Sequence, residues 1–572
     1  MASPMKRWIV KTAILSGIMC LCLGVSAQNK QPTTWINPTA LNYRFSENGL
    51  GYREAADPVV HLFKGLYYLY ASKSGGYWYS EDLCSWQYRP SVTLPVKDYA
   101  PAVMSIRDTV FYTASGGTHQ IYYSLDPRLD DWKVYNAHFA LSVTDPDLFL
   151  DDDGRVYFYY GCSDKDPIMG VELNRHHLLD TIGVPQVLIR HNIKDHGWES
   201  PAEDNLERVN GWNEGPWMTK YNGKYYLQYA SPGTQFKVYA DGVYESDRPL
   251  GPFTYMENSP FSYKPKGFIG GAGHGATFKD KYGNYWHIAT MSISVRHMFE
   301  RRLGIFPAFF DKSGLLHCVT GFGDYPQKKV TGKIDFEHTS IFTGWMLLSY
   351  HKKVMASSSL PDHGPELAVN EDIRNWWSAA SGKKGEWLSM DLGHISKVQA
   401  IQINFADQDA NLKDTDRVEP YRYQIEGSKD GTTWQLLADK SNNQKDLVDD
   451  YIELSYPQDI RYLKITNIGV PAGKFSVSGF RVFGTTKGKK PDPVKDISVL
   501  RNTGDLRSAV LSWTPSKGAT GYLVKYGIAP GILFHSAIVY GEHQLELNGL
   551  NTSATYYFKV DAFNESGVTD GK

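Results

Sequence analysis

Cysteine is scarce in this chain, with five residues in 572. Two of them, Cys20 and Cys22, fall in an N-terminal leader. The remaining Cys84, Cys162 and Cys318 are too few for a disulfide framework and read as small buried apolar residues rather than ligands. Charge of one sign is missing too. Lys and Arg number 60 against 62 Asp and Glu, a net charge of −2. With no long basic run, a nucleic-acid footprint is excluded. Long apolar runs are also absent. Past the leader none reaches the ~20 residues of a membrane span.

Aromatics are plentiful: 38 Tyr and 15 Trp. They suit β-structure and sugar stacking equally. The length suits about three or four domains. In the leader, Lys6 and Arg7 precede an apolar stretch from Ile14 to Val25, and Val25-Ser26-Ala27 is a small-residue cleavage site. Residues 1–27 are therefore expected to be a cleavable signal peptide, making the protein secreted or periplasmic. Met19 before Cys20 and Gly24 after Cys22 speak against lipid anchoring.

Three acidic motifs recur in order: Ala56-Asp57-Pro58-Val59, Thr144-Asp145-Pro146-Asp147 and Asn213-Glu214-Gly215-Pro216. Each opens a run ending in paired aromatics and small residues, such as Tyr67-Tyr68-Leu69-Tyr70-Ala71-Ser72. Two further units fit the alignment, Tyr99-Ala100-Pro101-Ala102 and Gly273-His274-Gly275-Ala276. The motif positions 57, 100, 145, 214 and 274 imply five repeats of four short strands, a propeller-like pattern. Turns such as Phe63-Lys64-Gly65 and Tyr221-Asn222-Gly223 separate the hairpin strands of a unit. Motif residues at the starts of the inner strands would meet around a central channel. One Asp-Pro alone reads as a turn cap; its repetition favours convergent carboxylates, which glycosidic hydrolysis needs. Asp147, two residues beyond Asp145, is the weaker candidate. Asp151-Asp152-Asp153-Gly154 reads as a turn, lacking the ligand spacing of a calcium loop.

The repeat fades near Gly321. Beyond it, short alternating strands around Trp376-Trp377 and Trp387 suit a β-sandwich. The linker Lys487-Gly488-Lys489-Lys490-Pro491-Asp492-Pro493 precedes about 80 more alternating residues, the size of an immunoglobulin-like sandwich.

Residues 45–325 resemble glycoside hydrolase family 43. The likeness rests on Asp57-Pro58 with its Tyr-Tyr-Leu-Tyr strand, Thr144-Asp145-Pro146 with Asp152-Asp153-Gly154, Glu214-Gly215-Pro216 with Tyr225-Tyr226, and Gly273-His274-Gly275. It implies a five-bladed β-propeller at 28–330, with Asp57 as general base, Asp145 as pKa modulator and Glu214 as general acid. Glu214 would then have a raised pKa and Asp57 would stay ionised. The second unit departs from relatives that carry Trp-Ala-Pro and then an acid; here Ala102 stands in that place. Residues 335–486 resemble a discoidin-like (F5/8 type C) sandwich and 493–572 a fibronectin type III sandwich, with Trp513 in its core and Tyr556 at its tyrosine corner. The chain is thus expected to be all-β, a propeller followed by two sandwiches.

Candidate substrate contacts are Trp78, Trp212 and Trp217 as sugar platforms, with His274 and Arg296, Arg301 and Arg302 following the fifth unit. No cofactor is implied. A structural Ca2+ is allowed by the resemblance, beside His274 or at Asn370-Glu371-Asp372. The expected activity is inverting removal of terminal α-L-arabinofuranosyl or β-D-xylosyl residues from plant cell-wall polysaccharide. A galactosidase or galactanase of the same family, or a non-catalytic glycan-binding propeller, are the alternatives.

Overall fold

The computed structural model describes residues 32–571, apart from 48, 96–97, 117–119, 142–143, 411 and 413–419. The expected signal peptide lies outside the described residues. Among these residues regular structure is strand, interrupted by three short 3-10 helices. The chain is all-β, as expected. No helix among them is long and apolar enough to cross a membrane.

Five antiparallel sheets follow one another between residues 59 and 318. Their first strands are Val59–Phe63, Tyr99–Ile106, Asp147–Leu150, Asn213–Tyr221 and Gly270–Lys279. Each first strand packs against that of the next sheet, and the fifth against the first, so the five form a closed ring. The second strands, such as Leu66–Tyr70 and Val156–Tyr160, are buried almost throughout. A strand covered on both faces reads as a continuous apolar run, not an alternating one, hence the Tyr-rich runs. The turns behave as their residues dictate. Lys64-Gly65 (φ 48° and 82°) and Asn222-Gly223 (φ 47° and 81°) are left-handed at both positions, the geometry of a tight two-residue hairpin turn.

Residues before and after the sheets close the ring. Thr34–Trp35 pairs with Gln327–Lys328. The Asn37 amide donates to Ile305 O and Gly323 O and accepts from Ile305 N, with each bond 2.9–3.0 Å.

The second module is an eight-stranded sheet system built on the long strands Trp387–Phe405, Asp449–Gly469 and Ser476–Thr485. Its core holds Trp377, Leu388, Ile403, Leu463 and Phe480; Trp376 and Trp387 are only half-buried. The third module has two sheets of three and four strands, with Trp513 buried between them. Its Tyr556 hydroxyl accepts from Asn551 N at 2.9 Å.

These modules are not tethered appendages. Thr33–Lys572 is one compact unit. Arg53 bonds to Asp407 at 2.9 Å and Asp446 at 2.7 Å, and Arg302 to Asp449 at 3.0 Å; all five side chains are buried. Across the third module's contact, the Asn551 amide donates to Glu257 O and Ser259 O, and Arg208 pairs with Asp505. The side chains at Asn370-Glu371-Asp372, where the resemblance allowed a calcium, are taken by other partners. Both Glu371 oxygens are engaged by Arg481 at 2.9 and 3.0 Å, and Asp372 accepts from Arg374 N and the Asn375 amide.

Candidate active site

The ring turns its motif residues inward by one backbone device used five times. Asp57 (φ 52°), Ala100 (φ 42°), Asp145 (φ 51°), Gly215 (φ 57°) and His274 (φ 43°) are all left-handed. In the second, fourth and fifth sheets a register shift accompanies the kink. Such a kink re-aims a side chain that regular pleating would leave between sheets. In the fourth sheet the left-handed residue is Gly215, one position after Glu214. Only glycine suits that place: a Cβ there would lie 2.5 Å from the His274 ring.

Hydroxyls latch three of these kinks. Ser72 Oγ, two residues past the first sheet's second strand, accepts from Ala100 N at 2.8 Å. Ser115 Oγ accepts from Asp145 N at 2.7 Å. Thr290 Oγ1, in the fifth sheet, accepts from Asp57 N at 2.9 Å. Gly161 occupies the equivalent place in the third sheet. There Gly215 N turns instead to Asp145 Oδ2, at 3.3 Å.

The result brings Asp57, Asp145, Glu214 and His274 together. His274 Nδ1 lies 3.4 Å from Asp57 Oδ1 and 3.8 Å from Asp145 Oδ2. Burial opposes charge on His274, but Asp57, Asp145, Glu214 and Asp241 outweigh it and raise its pKa. Burial also pushes Asp57 up. His274, Arg301 and the Ser72 hydroxyl, which donates to Asp57 Oδ2, more than reverse this and hold it below the usual carboxylate range. Asp145 goes the other way. Burial, with Glu214 and Asp57 as like charges, lifts it to about 7 despite His274. Opposite shifts on neighbouring carboxyls are how acid and base roles separate.

Glu214 is gripped at both oxygens. The Tyr239 hydroxyl donates to Oε1 and the Cys162 thiol to Oε2 at 3.1 Å. A ligand atom from each of Asp145, Cys162 and Glu214 lies within 4.8 Å of the others. His274 belongs to neither metal-suited cluster found among the described residues; it sits among carboxylates that favour its charged form.

Residues 47–315 match the family described as Glycosyl hydrolases family 43, and 353–478 the F5/8 type C domain. This chain carries a family 43 glycosyl hydrolase domain. Similar proteins include a xylosidase/arabinosidase of Bacteroides ovatus, 24% identical over 258 residues, covering 35% of this chain and 76% of its own. A beta-D-galactofuranosidase, xynD, of Aspergillus niger is 25% identical over 278 residues, covering 42% and 74%. Among solved structures, a thermostable family-43 glycoside hydrolase is 23% identical with a TM-score of 0.43, covering 52% of this chain and 100% of that one.

Within the family 43 domain, several expected contacts move. Trp78 is fully buried, its indole donating to Asn42 O at 3.0 Å, so it is core and no sugar platform. Trp217 is half-buried against the hydrophobic core and donates to Thr277 O of the fifth sheet. Trp212 alone of the three is open, at 45% exposure, two residues from Glu214. Arg296 is spent elsewhere, paired with Glu300 and donating to Ala406 O of the second module. Its neighbour Arg301 takes the site position. Its guanidinium lies 5.5 Å from the Phe45 and 5.0 Å from the Phe299 ring centroids, and Nη1 is 3.6 Å from Asp57 Oδ1. Among the described residues, its buried Nε and Nη2 have no hydrogen-bond partner. Asp147 is buried, accepts from Met218 N and is lifted to about 7 by burial. Asp151 caps its turn and binds Lys220 and Tyr225. Sequence reasoning missed Cys162 and Tyr239. The Glu-Gly motif marks the acid but carries no signal for the groups that hold it.

Proposed function

We propose that this glycoside hydrolase is a secreted, inverting, exo-acting enzyme built on a five-bladed propeller, with a fibronectin type III module over residues 493–572. It removes terminal α-L-arabinofuranosyl or β-D-xylosyl residues from plant cell-wall polysaccharide. The observation that carries the reading is the meeting of Asp57, Asp145 and Glu214 around His274, with Asp57 and Asp145 shifted in opposite directions. Asp57, held ionised by His274 and Arg301, takes the proton from the attacking water. Glu214, oriented by Tyr239 and Cys162, protonates the leaving oxygen. Asp145 accepts from Gly215 N beside the acid and itself holds a proton near neutrality. The free donors of Arg301 suit sugar hydroxyls, and Trp212 offers a ring at the rim. The name of one similar protein, a xylosidase/arabinosidase, supports the pentose substrates, while another is named for galactofuranoside.

The test is hydrolysis of aryl α-L-arabinofuranoside and aryl β-D-xyloside by wild type, Asp57→Asn and Glu214→Gln. Activity on one pentoside, lost by about 10²–10⁴-fold in both variants, bears the reading out, and product anomericity by NMR reads inversion. Activity confined to galactosides overturns the pentose assignment.

A further inference from the structure

We propose that Cys162 is a positioning residue for the acid: its thiol orients the Glu214 carboxyl and sets how readily that group parts with its proton. This rests on Glu214 being the general acid. The two-residue strand Cys162–Ser163 leaves the third sheet's run and joins the fourth, pairing Cys162 opposite Glu214. That pairing brings Sγ 3.1 Å from Glu214 Oε2, while Tyr239, just before the strand Ala240–Ser246, holds Oε1. With both oxygens held by groups on different elements, the carboxyl plane has little freedom.

The chemistry of sulfur matters. Burial and the Asp145 and Glu214 charges drive the thiol pKa far up, so Cys162 stays a donor. S–H is a weak donor and sulfur a weak acceptor. A thiol therefore steers Oε2 without stabilising the carboxylate as strongly as a hydroxyl would. A serine in its place would bind the anion better and make the acid shed its proton at lower pH. The thiol suits a group that must hold its proton until the leaving oxygen takes it.

The experiment uses two glycosides of whichever sugar the wild type cleaves, one with a 2,4-dinitrophenyl leaving group and one with methyl. A dinitrophenolate leaves without protonation; methoxide does not. Cys162→Ala is expected to lower kcat on the methyl glycoside by about ten-fold and on the dinitrophenyl glycoside by less than about two-fold. Its basic pH limb should move up, because a donor to the carboxylate is gone. Cys162→Ser should restore the methyl glycoside rate at low pH and move that limb down. Equal loss on both substrates in Cys162→Ala, or no loss on either, overturns the proposal, since a merely structural role does not sense the leaving group. Glu214→Gln separates the two levels of inference. If it slows both substrates alike, the acid assignment falls and takes this proposal with it. If it discriminates and Cys162→Ala does not, only the positioning role falls.

Discussion

Replacing Arg301 with Met should raise the pKa of Asp57 and move the acidic limb of the pH–rate profile upward. Arg301 Nη1 stands 3.6 Å from Asp57 Oδ1, both side chains buried. At an effective dielectric near 20, charges at that distance interact by roughly 4–5 kcal/mol. His274 remains 3.4 Å from the same oxygen and keeps part of the stabilisation, so a rise of about 1–2 units is expected, within the usual range for a carboxylate losing an Arg neighbour. The sign follows from the role. A base works ionised, so activity fails as pH falls through its pKa, and a higher pKa means failure at higher pH. The assay is kcat/KM against pH on an aryl glycoside, for wild type, Arg301→Met and Arg301→Lys. The Lys variant keeps the charge and should keep the limb, while losing affinity if the guanidinium also holds sugar hydroxyls. An unmoved acidic limb in Arg301→Met, with the fold intact by circular dichroism, would refute the claim that Arg301 holds Asp57 ionised.

Gly215→Ala should cut kcat about ten-fold or more by pushing the His274 ring aside, since the added Cβ sits 2.5 Å from it in a left-handed backbone; steady-state kinetics measure it. Asp449→Ala strands the buried Arg302 and should cost about 3–5 kcal/mol in urea unfolding. Iodoacetamide at about pH 8 should leave activity intact, because burial drives the pKa of Cys84, Cys162 and Cys318 above that of a free thiol and starves alkylation of thiolate; rapid inactivation would count against those surroundings. Ser72→Ala removes both a donor to Asp57 and the acceptor of Ala100 N; a lower melting temperature and a raised acidic limb are expected together.

Asp57, Asp145, Glu214 and His274 were legible in the sequence because repetition turned a weak dipeptide signal into a register. The same pattern says nothing about direction inside a strand. Arg296, Arg301 and Arg302 lie within seven residues, yet only Arg301 reaches Asp57. Arg302, next in the strand Arg301–Phe310, points to the opposite face and meets Asp449. Trp78 and Trp212 look alike as aromatic candidates, and burial alone separates them. Cys162 was unreadable for a topological reason. Its two-residue strand belongs to the next sheet, a pairing that sequence periodicity does not encode. The bonding of the second module to the ring is equally hidden, since Arg53 and Asp407 are 354 positions apart.

Ala100 shows that the left-handed kink belongs to the ring and not to the catalyst. It has no side chain to contribute, yet it takes φ 42°, a conformation that costs an L-residue roughly 1–2 kcal/mol. What holds it there is the hydroxyl of Ser72, the same hydroxyl that donates to Asp57. The kinks at Asp57 and Asp145 are held likewise, by Thr290 and Ser115. Strain shared around a closed ring is a property of the scaffold, and chemistry then depends only on which side chain stands at each kink. The third latch position carries Gly161 instead of a hydroxyl, and beside it the chain places Cys162 against Glu214. Where the repeat omits its structural hydroxyl, the site gains the thiol that holds its acid.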